Sequence, residues 1–343
     1  MKMFQHIDNS LIKCYKNKSL QIGGVTVLAD NKFSFDKNKT NFTIAIIGVG
    51  TKITEKSFLK IRKDFYDLYL NSKGIRILDL GNVEFDEKNI KKIIADLNSK
   101  EINTVFLCET DETSATILHL QQSKKSNTVL ILPNITSTNK HIAKLSENKI
   151  SIIGYQNYFS DKNLVDKLNK NSCKTMRLSE YRAEPSRVEP VLRDSDFLAI
   201  DFASVKSSDG GTANSPNGLY AEEICAIANY AGLSNKISQM NIVCKKNINA
   251  VSSQLTAQAI WHFLDGLSNR IVESPKKNKL KKFIVDMGNS SSNLVFYKSE
   301  ITNRWWLEVE KKGKIEVIPC SFSDYKMACD KDVPMCWIQE IQK

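Results

Sequence analysis

Eight short apolar runs alternate along this chain with stretches that carry apolar residues at helical spacing. The runs fall at 42–47, 75–78, 104–107, 128–132, 149–153, 197–200, 242–244 and 283–285. The helical stretches lie between them, near 55–71, 87–99, 112–124, 139–147, 161–169, 219–231 and 252–268. A continuous run of β-branched and aliphatic residues has no polar face, so a strand built from it is buried on both sides. Strands joined through helices pair in parallel, because a crossover is needed to bring the chain back to the starting edge of the sheet. The pattern predicts an α/β protein with a parallel sheet covered on both faces by helices.

A chain of 343 residues with 41% hydrophobic and 25% charged residues holds a core of ample size. No apolar run approaches the ~20 residues of a membrane span, and residues 1–18 lack the apolar segment of a secretory signal. The expected compartment is the cytoplasm, with no membrane partner. The eight cysteines (14, 108, 173, 225, 244, 320, 329 and 336) form no C-x-x-C pair. That argues against a zinc ribbon and for free thiols in a reducing compartment. Cys225 and Cys244 read as buried small hydrophobes. The net charge of +11 comes mostly from lysines spread along the chain beside many Asn and Ile. The one dense basic cluster, KKNKLKK at 276–282, reads as a solvated loop. Aromatic residues are not interleaved with basic ones as in single-strand binders, so no nucleic-acid partner is expected.

Three regions differ in character. Residues 1–40 are polar without a clear period and read as a peripheral segment. Residues 41–290 carry the α/β pattern, and 291–343 form an aromatic-rich appendage. Its Trp305, Trp306, Tyr325 and Trp337 read as packing on the sheet edge, with a partner surface as the alternative.

The segment from 189 to 232 is the strongest candidate for a site. A strand at 197–200 ends in Asp201, a loop follows with Gly210, Gly211, Pro216 and Gly218, and a helix then carries Ile224, Ile227, Ala228 and Ala231 on one face. Open α/β sheets build their sites at the C-terminal ends of strands, where Asp201 sits. Other chemistries lack their motifs: there is no G-x-G-x-x-G, no G-x-x-x-x-G-K-[ST] and no G-x-S-x-G.

The order of these pieces resembles the ureohydrolases, the family of arginase, agmatinase and formimidoylglutamase. The resemblance rests on IAIIGVG (44–50), ILDLGN (77–82), SDFLAID (195–201) and GLYAEE (218–223), and it spans roughly residues 40–270. IGYQNYF (153–159), EPVLRDSD (189–196), SPNGLYAEE (215–223), TAQAIWHFLDG (256–266), RWWLEV (304–309) and PCSFSDY (319–325) are similar to a divergent arginase-like group found in Bacteroidetes. The resemblance implies a three-layer αβα sandwich with a mainly parallel sheet, and a Mn²⁺-dependent hydrolase of linear amidines, in which a water bridging two manganese ions attacks a C–N bond. Homo-oligomers are common in that family.

Residue by residue, the chemistry does not transfer. The family's GGDHS falls on CETDE (108–112), with Asp111 at the histidine position. DAHxD falls on PNITS (133–137), and SxDxDxxDPxxAPG runs over AIDFASVKSSDGGT (199–212). There Asp201 keeps the first acid, while Ala203 and Lys206 replace the next two. Two divalent ions need several anionic ligands to hold them and to generate hydroxide. Asp201 is read as a vestigial metal ligand whose other role is to cap backbone N–H groups, and Asp111 as a weaker substitute. Asp111 and Glu112 also fit the N-terminus of the next helix. Glu223 matches the family's substrate-orienting glutamate, the alternative being an ordinary acid in the first turns of a helix, and Lys206 would set a positive charge beside the vacated cavity or extend to solvent. His6, His119, His141 and His262 lie off the ligand positions. The expectation is a pseudoenzyme without bound manganese that serves as a binding or assembly component. The alternative is an altered C–N hydrolase using Asp201, Glu223 and Asp111, with Lys206 as electrostatic stabiliser.

Overall fold

The structure is a computed structural model, and it describes residues 4–5, 7–16, 18, 20–30, 33, 42–51, 55–70, 74–123, 126–145, 150–171, 173–244, 248–275, 280–288, 293–311 and 313–341. Most of the basic cluster at 276–282, namely 276–279, lies outside the described residues.

The strands of the main sheet are β1 (Phe4–Gln5), β2 (Thr26–Leu28), β3 (Ile44–Val49), β4 (Ile77–Val83), β5 (Asn103–Cys108), β6 (Thr128–Ile131), β7 (Ile150–Tyr155), β8 (Lys174–Arg177), β9 (Phe197–Asp201) and β10 (Gln239–Val243). They form a sheet of order β1-β4-β3-β5-β10-β9-β6-β7-β8, with β2 also paired to β4. Every pairing is parallel except that of β1 with β4. The polar N-terminal segment thus supplies two strands at one edge. On the opposite edge β8, with sequence KTMR, carries no apolar run because an outermost strand is sheltered on only part of its surface.

Helices cover both faces. Glu55–Tyr66, Ala221–Leu233 and Ala250–Ser268 pack their apolar stripes on one side, around Phe58, Ile61, Phe65, Ile224, Ala228, Ile260 and Phe263. Glu87–Ser99, Asp111–Gln121 and Lys162–Lys170 cover the other, through Ile90, Ile94, Ile117, Leu118 and Leu168. The result is the three-layer αβα sandwich. Gly232 and Gly266 let the Ala221–Leu233 and Ala250–Ser268 helices touch backbone to backbone: a Cβ on Gly232 would lie 2.2 Å from the carbonyl of Phe263.

A second sheet, antiparallel and four-stranded, follows as β11 (Lys281–Val285), β12 (Leu294–Lys298), β13 (Trp305–Lys311) and β14 (Lys314–Cys320), in that order. The strand expected at 283–285 therefore belongs to the tail and not to the parallel sheet. Two helices, Phe322–Cys329 and Met335–Ile341, pack on it. Trp305 and Trp306 are buried, and Tyr325 stacks on Trp305 with ring centroids 4.6 Å apart.

The tail is held to the main body by two arginines around one glutamate. Arg193, fully buried, donates to the carbonyl of Trp305 at 2.7 Å, lies 4.7 Å from the Trp306 ring and bonds Glu189 through Nε at 2.9 Å. Arg304 donates to the Leu233 carbonyl at 2.6 Å and reaches the same Glu189 at 3.2 Å. The words EPVLRDSD and RWWLEV are this joint. Among the described residues no helix is long and apolar enough to cross a membrane, and all eight cysteines are free thiols.

Candidate functional site

Parallel pairing brings one row of residues to the C-terminal edge of the sheet. Val49 pairs with Cys108, Cys108 with Val243, and Val243 with Asp201; one step back, Ile200 pairs with Ile131. The strand order reverses between β3 and β5, since β4 lies on one side of β3 and β5 on the other. Such a reversal is where open α/β sheets leave a crevice. The three motif segments singled out in the sequence, 108–112, 133–137 and 199–212, all follow strands of this row.

The carboxylates there are held by neighbouring backbone. Glu109 is buried and accepts from the backbone N–H of Thr51 at 2.6 Å and from its hydroxyl at 3.2 Å, which ties the end of β5 to the end of β3. Thr110, not Asp111, caps the helix Asp111–Gln121 through a bond from Thr113 N–H at 3.1 Å. Asp111 accepts from Glu112 N–H at 2.9 Å and from Lys140 N–H at 3.4 Å. Glu112 pairs with Lys144 at 3.4 Å. After β6, Ile135 is fully buried at the centre of the 133–137 segment.

Asp201 ends β9 buried, and its Oδ1 accepts from the backbone N–H of Ala203 at 2.8 Å. This is the N-cap geometry of the short 3₁₀ turn Phe202–Ser204. The loop beyond folds on itself: Lys206 N–H donates to the Leu219 carbonyl at 2.9 Å and Leu219 N–H to the Ser204 carbonyl at 2.8 Å. Gly218 is required by this contact, because a Cβ there would sit 2.5 Å from the Lys206 nitrogen. Ala203, Ser204 and Val205 are buried beneath it.

Glu223 turns to its own helix. Its Oε2 accepts from Tyr220 N–H at 2.7 Å, satisfying a donor of the first turn, and its Oε1 lies 3.5 Å from Arg182 Nε. Arg182 also donates to the Gly218 carbonyl at 2.6 Å and lies 4.2 Å from the Tyr220 ring. Lys206 approaches the same ring at 5.7 Å. Tyr220 is thus the partner of two cations, an arrangement invisible in the sequence. Asp111, Asp201 and Glu223 each have separate backbone partners. Among the described residues, no group of three or more His, Cys, Asp or Glu side chains is arranged to hold a metal ion.

Two thiols and a polar chain complete this edge. Cys108 and Cys244 are fully buried and lie in the cores on opposite faces of the sheet. Burial raises both thiols, that of Cys244 to about 12, so neither is a thiolate nucleophile. Behind them Gln239, Asn241, Ser114 and His141 form a buried hydrogen-bonded chain that links the sheet to the helices Asp111–Gln121 and Lys140–Lys144, and the half-buried Gln121 joins it at Gln239. His141 Nε2 bonds Ser114 Oγ at 2.9 Å, while its buried Nδ1 has no hydrogen-bond partner among the described residues. Burial pushes this imidazole down to about 4, so it is neutral at physiological pH. Polar residues at 239 and 241 inside an otherwise apolar strand were the only sequence sign of this chain.

No family model matches the sequence, and no curated protein matches it either. Solved structures do. Formiminoglutamase from Trypanosoma cruzi, crystallised with Mn²⁺, superposes with a TM-score of 0.60 at 15% identity, over 68% of this chain and 96% of that one. Formimidoylglutamase from Bacillus subtilis gives 0.61 at 15% identity, over 74% and 94%. Agmatine ureohydrolase from Thermoplasma volcanium gives 0.55 at 16% identity, over 72% and 93%. The chain has the arginase-type ureohydrolase fold. A shared fold defines a scaffold and leaves the chemistry to the site.

Proposed function

We propose that this chain descends from the ureohydrolases, through their divergent arginase-like branch, and has lost the binuclear manganese centre. On this reading it is a cytoplasmic binding or assembly component, engaging copies of itself or another protein, and not an efficient arginase or formimidoylglutamase. The supporting observation is what the strand-end acids do. Asp201 holds Ala203 N–H, Glu109 holds Thr51, Asp111 holds two backbone N–H groups and Glu223 holds Tyr220 N–H. Manganese favours several oxygen donors, and two dications need enough negative charge to be held and to ionise a water. Carboxylates committed to backbone donors, beside two protonated thiols and a buried Ile135, do not fit that requirement.

The test is release of urea or formamide from the corresponding amidines with Mn²⁺ added. The proposal expects no enzymatic turnover. A rate near 1 s⁻¹, within the range of ordinary enzymes, would overturn it and favour the altered hydrolase.

A further inference from the structure

A cleft of about 530 Å³ opens elsewhere, beyond the end of β7 and along the outermost strand β8. Tyr155 and Cys173 line it and are buried. One wall is a face of the helix Lys162–Lys170, which presents Lys162, Asp166 and Asn169 at positions i, i+4 and i+7. The other runs along β8, from Lys174 at its start to Arg177 at its end, and on to Glu180 in the helix after it. Gln339 from the last helix of the tail also lines the cleft, so body and tail both contribute to it.

Its chemistry is rich in donors. Three cations face two carboxylates, and one of these, Glu180, already accepts from Arg177 through the backbone N–H and Nε, each at 3.0 Å. That geometry leaves the terminal guanidinium nitrogens of Arg177 outside the Glu180 bond. Guanidinium and ammonium groups together match an oxyanion. Asp166 and the amides of Asn157 and Asn169 supply acceptors and donors for hydroxyl groups. The volume suits a small metabolite.

We propose that this cleft binds a small hydroxylated anion, its oxyanion against Arg177 and Lys162 and its hydroxyls on Asp166, Asn157 and Asn169. The oxyanion is a phosphate monoester or a carboxylate on a polyhydroxylated skeleton. The inference stands apart from the fate of the manganese centre, since none of these residues belongs to the β5–β9 row.

The test is calorimetric titration of the full chain with ribose 5-phosphate, gluconate and inorganic phosphate. Saturable binding of ribose 5-phosphate or gluconate is expected, at least tenfold tighter than inorganic phosphate, and the tighter of the two identifies the oxyanion. The double variant Lys162→Gln/Arg177→Gln, at exposed positions whose loss leaves the core intact, should weaken it at least tenfold. Asp166→Asn should weaken it while leaving inorganic phosphate unchanged. No saturable binding of either organic anion, binding unaltered in the double variant, or inorganic phosphate binding as tightly as both would overturn the proposal.

Discussion

Replacing Asp201 separates a structural carboxylate from a ligand-binding one. Its Oδ1 accepts the Ala203 N–H at 2.8 Å, and both residues are at least nine-tenths buried, at 9% and 8% exposure. Asp201→Ala removes the cap and leaves a buried donor without its acceptor, a loss of about 1–3 kcal/mol. Asp201→Asn keeps an oxygen at the same place and should cost under about 1 kcal/mol. Unfolding entropy of about 2.1 cal/mol/K per residue gives about 0.7 kcal/mol/K for 343 residues. Asp201→Ala should therefore lower Tm by roughly 1.5–4 °C and Asp201→Asn by less than about 1.5 °C. Differential scanning calorimetry with and without Mn²⁺ reads both effects. Manganese should shift none of the three proteins. The reasoning fails if Mn²⁺ raises Tm in the parent and not in Asp201→Asn, because the carboxylate charge would then be serving a metal.

Three further outcomes follow from buried groups. Arg62 is completely enclosed and bonds Asp79 through Nε at 2.7 Å and Nη2 at 3.1 Å, so Asp79→Ala should cost about 3–5 kcal/mol in urea denaturation. The double variant Arg62→Met/Asp79→Leu should recover part of that loss, because no charge is left buried alone, although Tyr66 O–H, Gly81 N–H and Asn82 Oδ1 lose their partners. Neutral His141 stabilises the fold fully above its unfolded value near 6.5, and this contribution falls as pH drops towards about 4. The fall from 6.5 to about 4, net of the opposing Asp111 charge, corresponds to a loss on the order of 3 kcal/mol; His141→Gln should flatten the stability profile between pH 6.5 and 4. Arg304→Gln removes bonds to Glu189 and the Leu233 carbonyl, and limited proteolysis should then cleave between body and tail faster than in the parent.

The interior of the fold was legible because its strands are buried on both faces. Apolar runs at 104–107, 128–132 and 197–200 correspond to β5, β6 and β9, and the helix at 87–99 appears at Glu87–Ser99. The edges were not. β8 reads KTMR and β1 spans two residues, and neither carries a run long enough to signal a strand. The segment 283–285 has the composition of a core strand but pairs antiparallel with β12, and nothing local distinguishes the two sheets. At the site, the sequence identifies which acids remain and not where they point. The D-x-G of 79–81 shows the same limit. Asp79 takes the Gly81 N–H at 2.8 Å and holds Arg62, a buried pair whose partner lies 17 residues away on a helix. Likewise Tyr220 receives Arg182 from across the loop, a contact set by the tertiary fold.

The most direct measurement is the metal content of the purified chain after incubation with Mn²⁺ and removal of free ion, by elemental analysis. Carboxylates committed to Ala203, Thr51, Lys140 and Tyr220 predict well under one manganese per chain. About two ions per chain, the stoichiometry of a two-metal hydrolase, would contradict the loss of the centre.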